Sequence, residues 1–319
     1  MEPSYYLLWK SGELERRVAR ALTILLRCEL CPRCCRVNRV HGERGFCRSG
    51  FRPKVSSYQC HHGEEPPISG LYGSGTVFFA YCTLQCCFCQ NYPISHLGKG
   101  TEVSVERLVD YFLELQGNGC HNINLVSPTH FIPQILHSIF LAVQKGLDIP
   151  IVYNSNGYER PHILQLLDGI VDIYLPDMKY SDNDMSMRYS NAPHYFVYAK
   201  EAVKEMYRQV GNLKIRDDIA WKGLLVRHLV LPDGRAGTEK IIAFLAEEIS
   251  SEVFISVMKQ YYPYCDASQF PEINREITQD EYAEICQIME HYHITNGWIQ
   301  EPIGLPDRQR YAGENILRV

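Results

Sequence analysis

Apolar runs that favour β-strands alternate with helical patterns along most of the chain, and this alternation most constrains its fold. It indicates a parallel sheet, because a helix normally makes the crossover between parallel strands. Strands are predicted at 76–81, 122–126, 149–153, 171–175, 224–231 and 254–260. Helices are predicted at 104–117, 131–144, 161–167, 193–210, 238–249 and 279–291.

We therefore predict an α/β protein with a partial (β/α)6 TIM-like barrel, since six units fall short of the eight that close such a barrel. A chain of 319 residues is long enough for one large domain with a small appendage. The expected division is a Cys-rich amino-terminal lobe with its lead-in at 1–70 and a barrel domain at 71–319.

A cysteine motif, Cys82-Thr-Leu-Gln-Cys86-Cys87-Phe88-Cys89, directly follows the first predicted barrel strand. Thiolates in the spacing C-x3-C-x2-C bind three irons of a cubane cluster and leave the fourth iron open. The loop after a barrel strand also lies on the face where such folds place their chemistry. A structural zinc site prefers four ligands, so the spacing favours a [4Fe–4S] cluster, with Cys87 pointing away.

This spacing, with an aromatic residue before the last cysteine, resembles the signature of the radical S-adenosylmethionine (SAM) superfamily. In that superfamily the open iron binds the amino and carboxylate groups of SAM, and an electron from the cluster breaks the C5′–S bond. The resemblance implies a [4Fe–4S] cluster, SAM, and an electron donor such as flavodoxin or ferredoxin.

Further motifs are similar to those of pyruvate formate-lyase activating enzymes, and above all to a branch labelled activating enzyme-like. They are Asp177-Met-Lys179, Val226-Arg227-His-Leu-Val-Leu-Pro232, Asn154-Ser-Asn156-Gly157, Leu30-Cys-Pro-Arg33, His62-Gly-Glu-Glu-Pro-Pro-Ile68, Asn122-Ile-Asn-Leu-Val126 and Gln260-Tyr261. The resemblance implies that SAM is bound by Ser127, Thr129, Asn154, Asn156, Asp177, Lys179 and Arg227.

One segment departs from the activating-enzyme pattern. Those enzymes have Gly-Gly-Glu after the second strand, where this chain has Ser127-Pro128-Thr129-His130. Arg227 suits a carboxylate because its guanidinium makes two parallel hydrogen bonds. The sequence identifies no catalytic residue; His130 and the segment 61–65 are equally well explained as pocket residues and as structural loops.

A second cysteine cluster lies near the amino terminus. Four thiolates there, from Cys28, Cys31, Cys35 and Cys47, are able to hold zinc or a second [4Fe–4S] cluster, and the spacing does not decide between the two. Zinc is slightly favoured, because a zinc knuckle explains how a short basic segment folds without a core of its own. Cys34 is the alternative to Cys35.

The same segment is basic, with 12 Lys and Arg against 5 Asp and Glu in residues 1–54, while the rest of the chain is acidic. It either docks on the chain's own acidic body or binds an acidic partner or nucleic acid. Nucleic-acid binding is disfavoured because aromatic residues for stacking on bases are sparse near this segment, where Phe46 and Phe51 are the main candidates.

The apolar runs are too short to cross a membrane. With no secretory signal, we expect a cytoplasmic protein whose cysteines are reduced.

The leading interpretation is an enzyme that generates a 5′-deoxyadenosyl radical and abstracts a hydrogen atom. If the resemblance extends to the substrate, the target is a glycine in a partner protein; otherwise it is a small molecule or another peptide. A further alternative is a binding module with a zinc-knuckle lobe and a non-catalytic barrel, whose binding would not need SAM.

Overall fold

The computed structural model describes residues 3–299. Its strands are β1 (Lys54–His61), β2 (Ser74–Phe79), β3 (Thr101–Glu102), β4 (Ile123–Val126), β5 (Ile151–Ser155), β6 (Ile173–Pro176), β7 (Lys214–Arg216), β8 (Ile219–Leu229), β9 (Phe254–Met258) and β10 (Gly297–Ile299). Its α-helices are α1 (Tyr5–Lys10), α2 (Glu13–Thr23), α3 (Pro66–Ser69), α4 (Tyr92–Ser95), α5 (Val105–Gly117), α6 (Ile132–Gln144), α7 (Pro161–Leu164), α8 (Asn183–Ser190), α9 (Tyr195–Val210), α10 (Thr238–Phe244) and α11 (Gln279–His291).

One sheet runs in the order β10-β9-β8-β6-β5-β4-β2-β1-β3, and β7 pairs with β8. The pairs from β2 through β4, β5, β6, β8 and β9 to β10 are parallel. All six predicted strands are consecutive neighbours in this part, which confirms the α/β class and the partial barrel. Within the described part of the chain the sheet ends at β10 and β3 and does not close.

Burial explains why these segments are strands. Every residue of β5 and β6 is buried, as expected when both faces of a parallel sheet are covered. The covering helices are amphipathic; α5, for example, buries Leu108, Phe112 and Leu115. Its first turn is capped by Ser104, whose side chain accepts a hydrogen bond from the Arg107 amide.

The sequence missed an antiparallel extension of the sheet. Strand β1 pairs with β2, and β3 pairs with β1. Only Val55 of β1 is buried, so the segment shows neither the continuous apolar run of a parallel strand nor clear alternation. The end of the segment 1–70, which was predicted to be a lead-in to the barrel, also contains the short helix α3.

Two helices at the amino terminus were also missed. Helix α2 buries Leu14, Val18 and Ala21 and packs against α6 of the barrel. The Tyr5 hydroxyl of α1 donates to the Ile149 carbonyl at 2.9 Å. The expected boundary at residue 70 stays a prediction, and residues 300–319 of the expected barrel domain lie outside the described part. No helix within residues 3–299 is long and apolar enough to cross a membrane.

Candidate functional site

Residues 82–89, the cysteine loop, follow β2 at the carboxyl edge of the parallel strands. The carboxyl-terminal end of α8 binds this loop through two backbone hydrogen bonds. The Gln85 amide donates to the Ser190 carbonyl at 3.0 Å, and the Cys87 amide donates to the Tyr189 carbonyl at 2.8 Å. Phe88, the aromatic residue of the motif, packs edge-on against another aromatic ring. The loop is thus held by backbone bonds and packing.

Each of the three predicted cluster ligands has a polar partner at its sulfur. The contacts are Asn156 Nδ2 to Cys82 Sγ at 3.3 Å, Ser190 Oγ to Cys86 Sγ at 3.0 Å, and Ser95 Oγ with Cys89 Sγ at 3.0 Å. Hydrogen bonds to cysteine sulfurs orient cluster ligands and tune a cluster's reduction potential. The three thiols are therefore supported as a set.

Cys87 has different neighbours from the three predicted ligands. Burial raises the pKa of its thiol to about 12, and the Cys265 thiol adds to the rise. Burial also raises the pKa of Cys86 to about 12, but Cys86 interacts electrostatically with Cys82 and Cys89. The spacing therefore separates three thiols that share an environment from a fourth that does not.

The number of these thiols suits a cluster better than a structural zinc ion. A structural zinc site takes four ligands, whereas three cysteines of a cubane each bind a different iron and leave the fourth iron open. Cys86 interacts with both Cys82 and Cys89, so the three thiols form one set.

The turn after β5 contacts the cysteine loop through the side chain of Asn156. Asn156 Nδ2 donates to the Thr83 hydroxyl at 2.9 Å as well as to the Cys82 sulfur, and its Oδ1 accepts from the Tyr158 amide. Gly157 follows with φ of +73°, and a Cβ there would collide with the Asp177 carbonyl. This turn therefore joins the third predicted strand to the cysteine loop and to the next strand end.

Asp177 and Lys179 form an ion pair just after β6, with Nζ 2.6 Å from the carboxylate. Burial alone would lower the pKa of Lys179, but the Asp177 carboxylate and the Cys86 thiol outweigh it, and the pKa is raised. The Tyr195 hydroxyl accepts from the Lys179 amide at 3.0 Å and lies 2.8 Å from the Asn156 carbonyl. The ammonium group thus lies close to the cysteine loop.

Arg227 of β8 is bound by two buried carboxylates from the segment before α3. Its Nε lies 2.8 Å from Glu65, one of its terminal nitrogens lies 2.6 Å from the same carboxylate, and Glu64 binds that terminal nitrogen too. Asn124 of β4 donates to Glu64 at 3.0 Å. Because β4 and β8 are separate strands of the barrel wall, this network crosses the barrel interior.

The segment after β4 brings a buried carboxyl beside one of the predicted SAM-binding residues. The Thr129 hydroxyl donates to Glu159 Oε1 at 2.6 Å, and the Tyr153 hydroxyl lies 3.3 Å from the same oxygen. Glu159 Oε2 is buried without a hydrogen-bond partner within the described residues. Ser127 has φ of +55°, and its amide donates to the Asn154 carbonyl at 2.9 Å. These residues therefore meet at the strand ends.

The amino-terminal cysteines lie together around a separate cavity. Its lining includes Cys28, Cys31, Cys34, Cys35, Cys47 and His130. The Arg33 guanidinium reaches from this lobe to the barrel and donates to the Thr83 carbonyl at 3.1 Å. The lobe therefore lies beside the cysteine loop.

Comparison with known proteins identifies the family. The Radical SAM superfamily model matches residues 76–216, which include the cysteine loop and the strand ends around it. The uncharacterized protein MJ0674 of Methanocaldococcus jannaschii is 32% identical over 298 residues, covering 89% of this chain and 80% of that protein. The chain belongs to the radical SAM superfamily. Radical SAM enzymes catalyse radical chemistry and use a [4Fe–4S] cluster and SAM.

Solved structures with which this radical SAM chain aligns include two enzymes. The FeFe-hydrogenase maturase HydG of Carboxydothermus hydrogenoformans aligns with a TM-score of 0.47 and 15% identity, over 70% of this chain and 52% of that chain. Methylornithine synthase (PylB) aligns with a TM-score of 0.46 and 13% identity, over 90% of this chain and 70% of that chain. The chain thus spans about half the length of the hydrogenase maturase.

Sequence reasoning missed three residues of this radical SAM site. Ser95 and Ser190 contact the sulfurs of Cys89 and Cys86, and Glu159 contacts Thr129. The two serines belong to α4 and α8, which show no motif of their own. Glu159 stands two residues after the Asn-Gly turn, which was the one signal that pointed to it.

Proposed function

We propose that this radical SAM enzyme cleaves SAM reductively and abstracts a hydrogen atom from a substrate, with Cys82, Cys86 and Cys89 as the cluster ligands. The observation that carries the proposal is the set of three thiols, each with its own polar partner, at the carboxyl edge of the parallel strands. The bound cluster and SAM would supply the radical. The chain's own residues orient the thiols and shape the chamber.

We assign the SAM-binding surface to the strand ends next to the cysteine loop. Ser127 and Asn154 are joined by a backbone bond, and the pair of Asp177 and Lys179 brings both charges to the same edge. Asn156 would act through the hydrogen bonds that it makes with the cysteine loop.

Two other predicted SAM-binding residues already have strong partners. The hydroxyl of Thr129 donates a hydrogen bond to Glu159, and the guanidinium of Arg227 donates hydrogen bonds to Glu64 and Glu65. We propose that Thr129 offers SAM its backbone and that Arg227 shapes the chamber with its two carboxylates.

The interior of the barrel below this surface is filled by the segment that precedes and forms α3. Ile68 packs with Val152, Ile173 and Leu225, which lie on three different strands. The Glu64 and Glu65 side chains reach β4 and β8 above it. In the proposed function this segment is the floor of the substrate chamber and presents two carboxylates that Arg227 holds.

The test is anaerobic reconstitution followed by measurement of 5′-deoxyadenosine formed from SAM and dithionite. The parent should carry at least one [4Fe–4S] cluster and form 5′-deoxyadenosine. Replacing Cys82, Cys86 and Cys89 together by Ala should abolish the product and remove about four irons. Cys87→Ala, a change in the same loop, is the matched control and should keep both. Full iron and full activity in the triple variant would overturn the proposal.

For the substrate we propose a glycine residue of a partner protein, as the motif resemblance to activating enzymes suggests. Anaerobic incubation with a cell extract, SAM and reductant should then produce a protein-centred glycyl radical signal in electron paramagnetic resonance (EPR). If mass spectrometry instead finds a SAM-dependent change in a small molecule or in another peptide, the activating role is wrong while SAM cleavage stands.

A further inference from the structure

Four thiols of the amino-terminal lobe lie around one cavity. Cys28, Cys31, Cys35 and Cys47 line it together with Cys34. Cys31 is buried and the other three of the four are half-buried. The Sγ of Cys34 lies 3.6 Å from the Cys31 carbonyl, which offers that thiol a backbone acceptor.

The backbone is shaped around the sulfur of Cys35. The Phe46 amide donates to Cys35 Sγ at 3.3 Å. A Cβ on Gly45 would lie 2.7 Å from the same sulfur, so only glycine leaves room for it. An amide that donates to a cysteine sulfur stabilises the thiolate, which is the form that binds metals.

A buried histidine of the barrel also lines this cavity, and one of its ring nitrogens has no partner. His130 Nε2 lies 2.9 Å from the Ala80 carbonyl, so Nε2 carries the proton and Nδ1 presents a lone pair. Nδ1 is buried and has no hydrogen-bond partner among residues 3–299. The Ala80 carbonyl thereby fixes the tautomer in which Nδ1 is the acceptor.

Buried arginine contacts hold the lobe against the barrel at this point. Arg39 donates to the His130 carbonyl at 2.6 Å and to the Gly50 carbonyl at 2.9 Å. Cys47 also lines a second pocket together with Cys82, so the lobe cavity adjoins the cysteine loop. The lobe cavity is thus built from both parts of the chain.

We propose that Cys28, Cys31, Cys35 and Cys47 hold a second [4Fe–4S] cluster in the lobe and that His130 faces it through Nδ1. A cubane suits this cavity because its four thiols surround a common space and each binds a different iron. This site does not depend on the proposed SAM cleavage.

The test uses the chain in which Cys82, Cys86 and Cys89 are replaced by Ala, so that all remaining iron belongs to the lobe. After anaerobic reconstitution this variant should keep about four irons and four sulfides and give the EPR signal of a reduced cluster. Adding Cys31→Ser and Cys47→Ser should remove both, whereas adding Cys34→Ser, the matched control, should change neither. Zinc in place of iron, or iron that survives the Cys31 and Cys47 changes, would overturn the proposal.

Folding and the role of His130 are checked separately. Cys31→Ser and Cys47→Ser placed in the parent chain should leave the iron of the cysteine loop in place, which shows that the barrel has folded. His130→Gln in the background without the loop cysteines should keep the iron and shift the g values of the lobe cluster. Unchanged g values would remove His130 from the site.

Discussion

At the scale of single residues, the feature with the largest consequence for stability is the buried charge network of Glu64, Glu65 and Arg227 in the barrel interior. Burial alone would raise the pKa of Glu65, but Arg227 outweighs it and the pKa is lowered, so the carboxylate is ionised. Breaking such a pair leaves an uncompensated buried charge, whereas replacing the whole group together need not destabilise the fold. The network therefore stabilises the barrel only while it is complete.

We expect Arg227→Ala to lower the free energy of unfolding by about 3–5 kcal/mol, because two buried carboxylates lose their partner. Changing Glu64, Glu65 and Arg227 together to Gln should recover much of the loss. Denaturant unfolding of the chains, purified under the same anaerobic conditions, measures both effects. If Arg227→Ala unfolds like the parent but no longer binds SAM, the arginine contacts the cofactor instead of shaping the chamber.

Glu159 should make stability depend on pH. Burial raises its pKa to about 8 from an ordinary 4.5, against the hydrogen bonds from Thr129, Ser155 and Tyr153. The folded chain therefore keeps the proton that the unfolded chain loses above pH 4.5, and stability is lost as the pH rises to 8. The full difference amounts to up to about 5 kcal/mol.

Glu159→Gln, which resembles the protonated carboxyl, should therefore gain stability relative to the parent between pH 5.5 and pH 8.5. Thermal unfolding midpoints of the two chains at both pH values measure this gain. An equal difference at the two pH values would show that Glu159 does not titrate in this range.

At the scale of elements, periodicity predicted the parallel strands and their helices because buried parallel strands are continuous apolar runs. Helix α5 was predicted with its cap at Ser104 for the same kind of local reason. Strand β1 was missed because its partner β2 lies 13 or more residues further along the chain and its own pattern is mostly half-buried. Local patterns do not encode that partnership.

The candidate site likewise has one part that local sequence predicts and another part that only the fold brings together. The spacing of Cys82, Cys86 and Cys89 is a local property, so the sequence alone predicts a shared role for them. The partners of those sulfurs come from elsewhere: Ser190 is 104 residues from Cys86, and Asn156 is 74 residues from Cys82. The pairing of Arg227 with Glu64 and Glu65 spans more than 160 residues and likewise appears only in the fold.

At the scale of the whole molecule, the basic amino-terminal segment makes polar contacts with the rest of the chain. Arg17 donates to the Asp168 carbonyl, and Arg44 lies 3.4 Å from Glu102. An ion pair of the opposite sense joins Arg160 of the barrel to Glu29 of the lobe at 3.4 Å. These contacts support the interpretation that the segment docks on its own body. Arg48 and Arg52 remain exposed, and Arg48 lines the pocket that Cys47 and Cys82 share.

We expect these two exposed arginines to guide an acidic electron donor such as flavodoxin to the cysteine loop. Charges on the rim of a docking surface mainly change the association rate and its dependence on salt. Arg48→Glu with Arg52→Glu should therefore slow flavodoxin-driven formation of 5′-deoxyadenosine roughly tenfold at low ionic strength. The deficit should shrink as salt is added, and the dithionite-driven rate should stay at the parent value because dithionite needs no docking surface. Lys214→Glu with Arg216→Glu, an equal charge change on exposed strand β7, is the matched control and should leave both rates unchanged. If both double variants slow the flavodoxin-driven rate equally, overall charge governs the encounter and the lobe is not the docking surface.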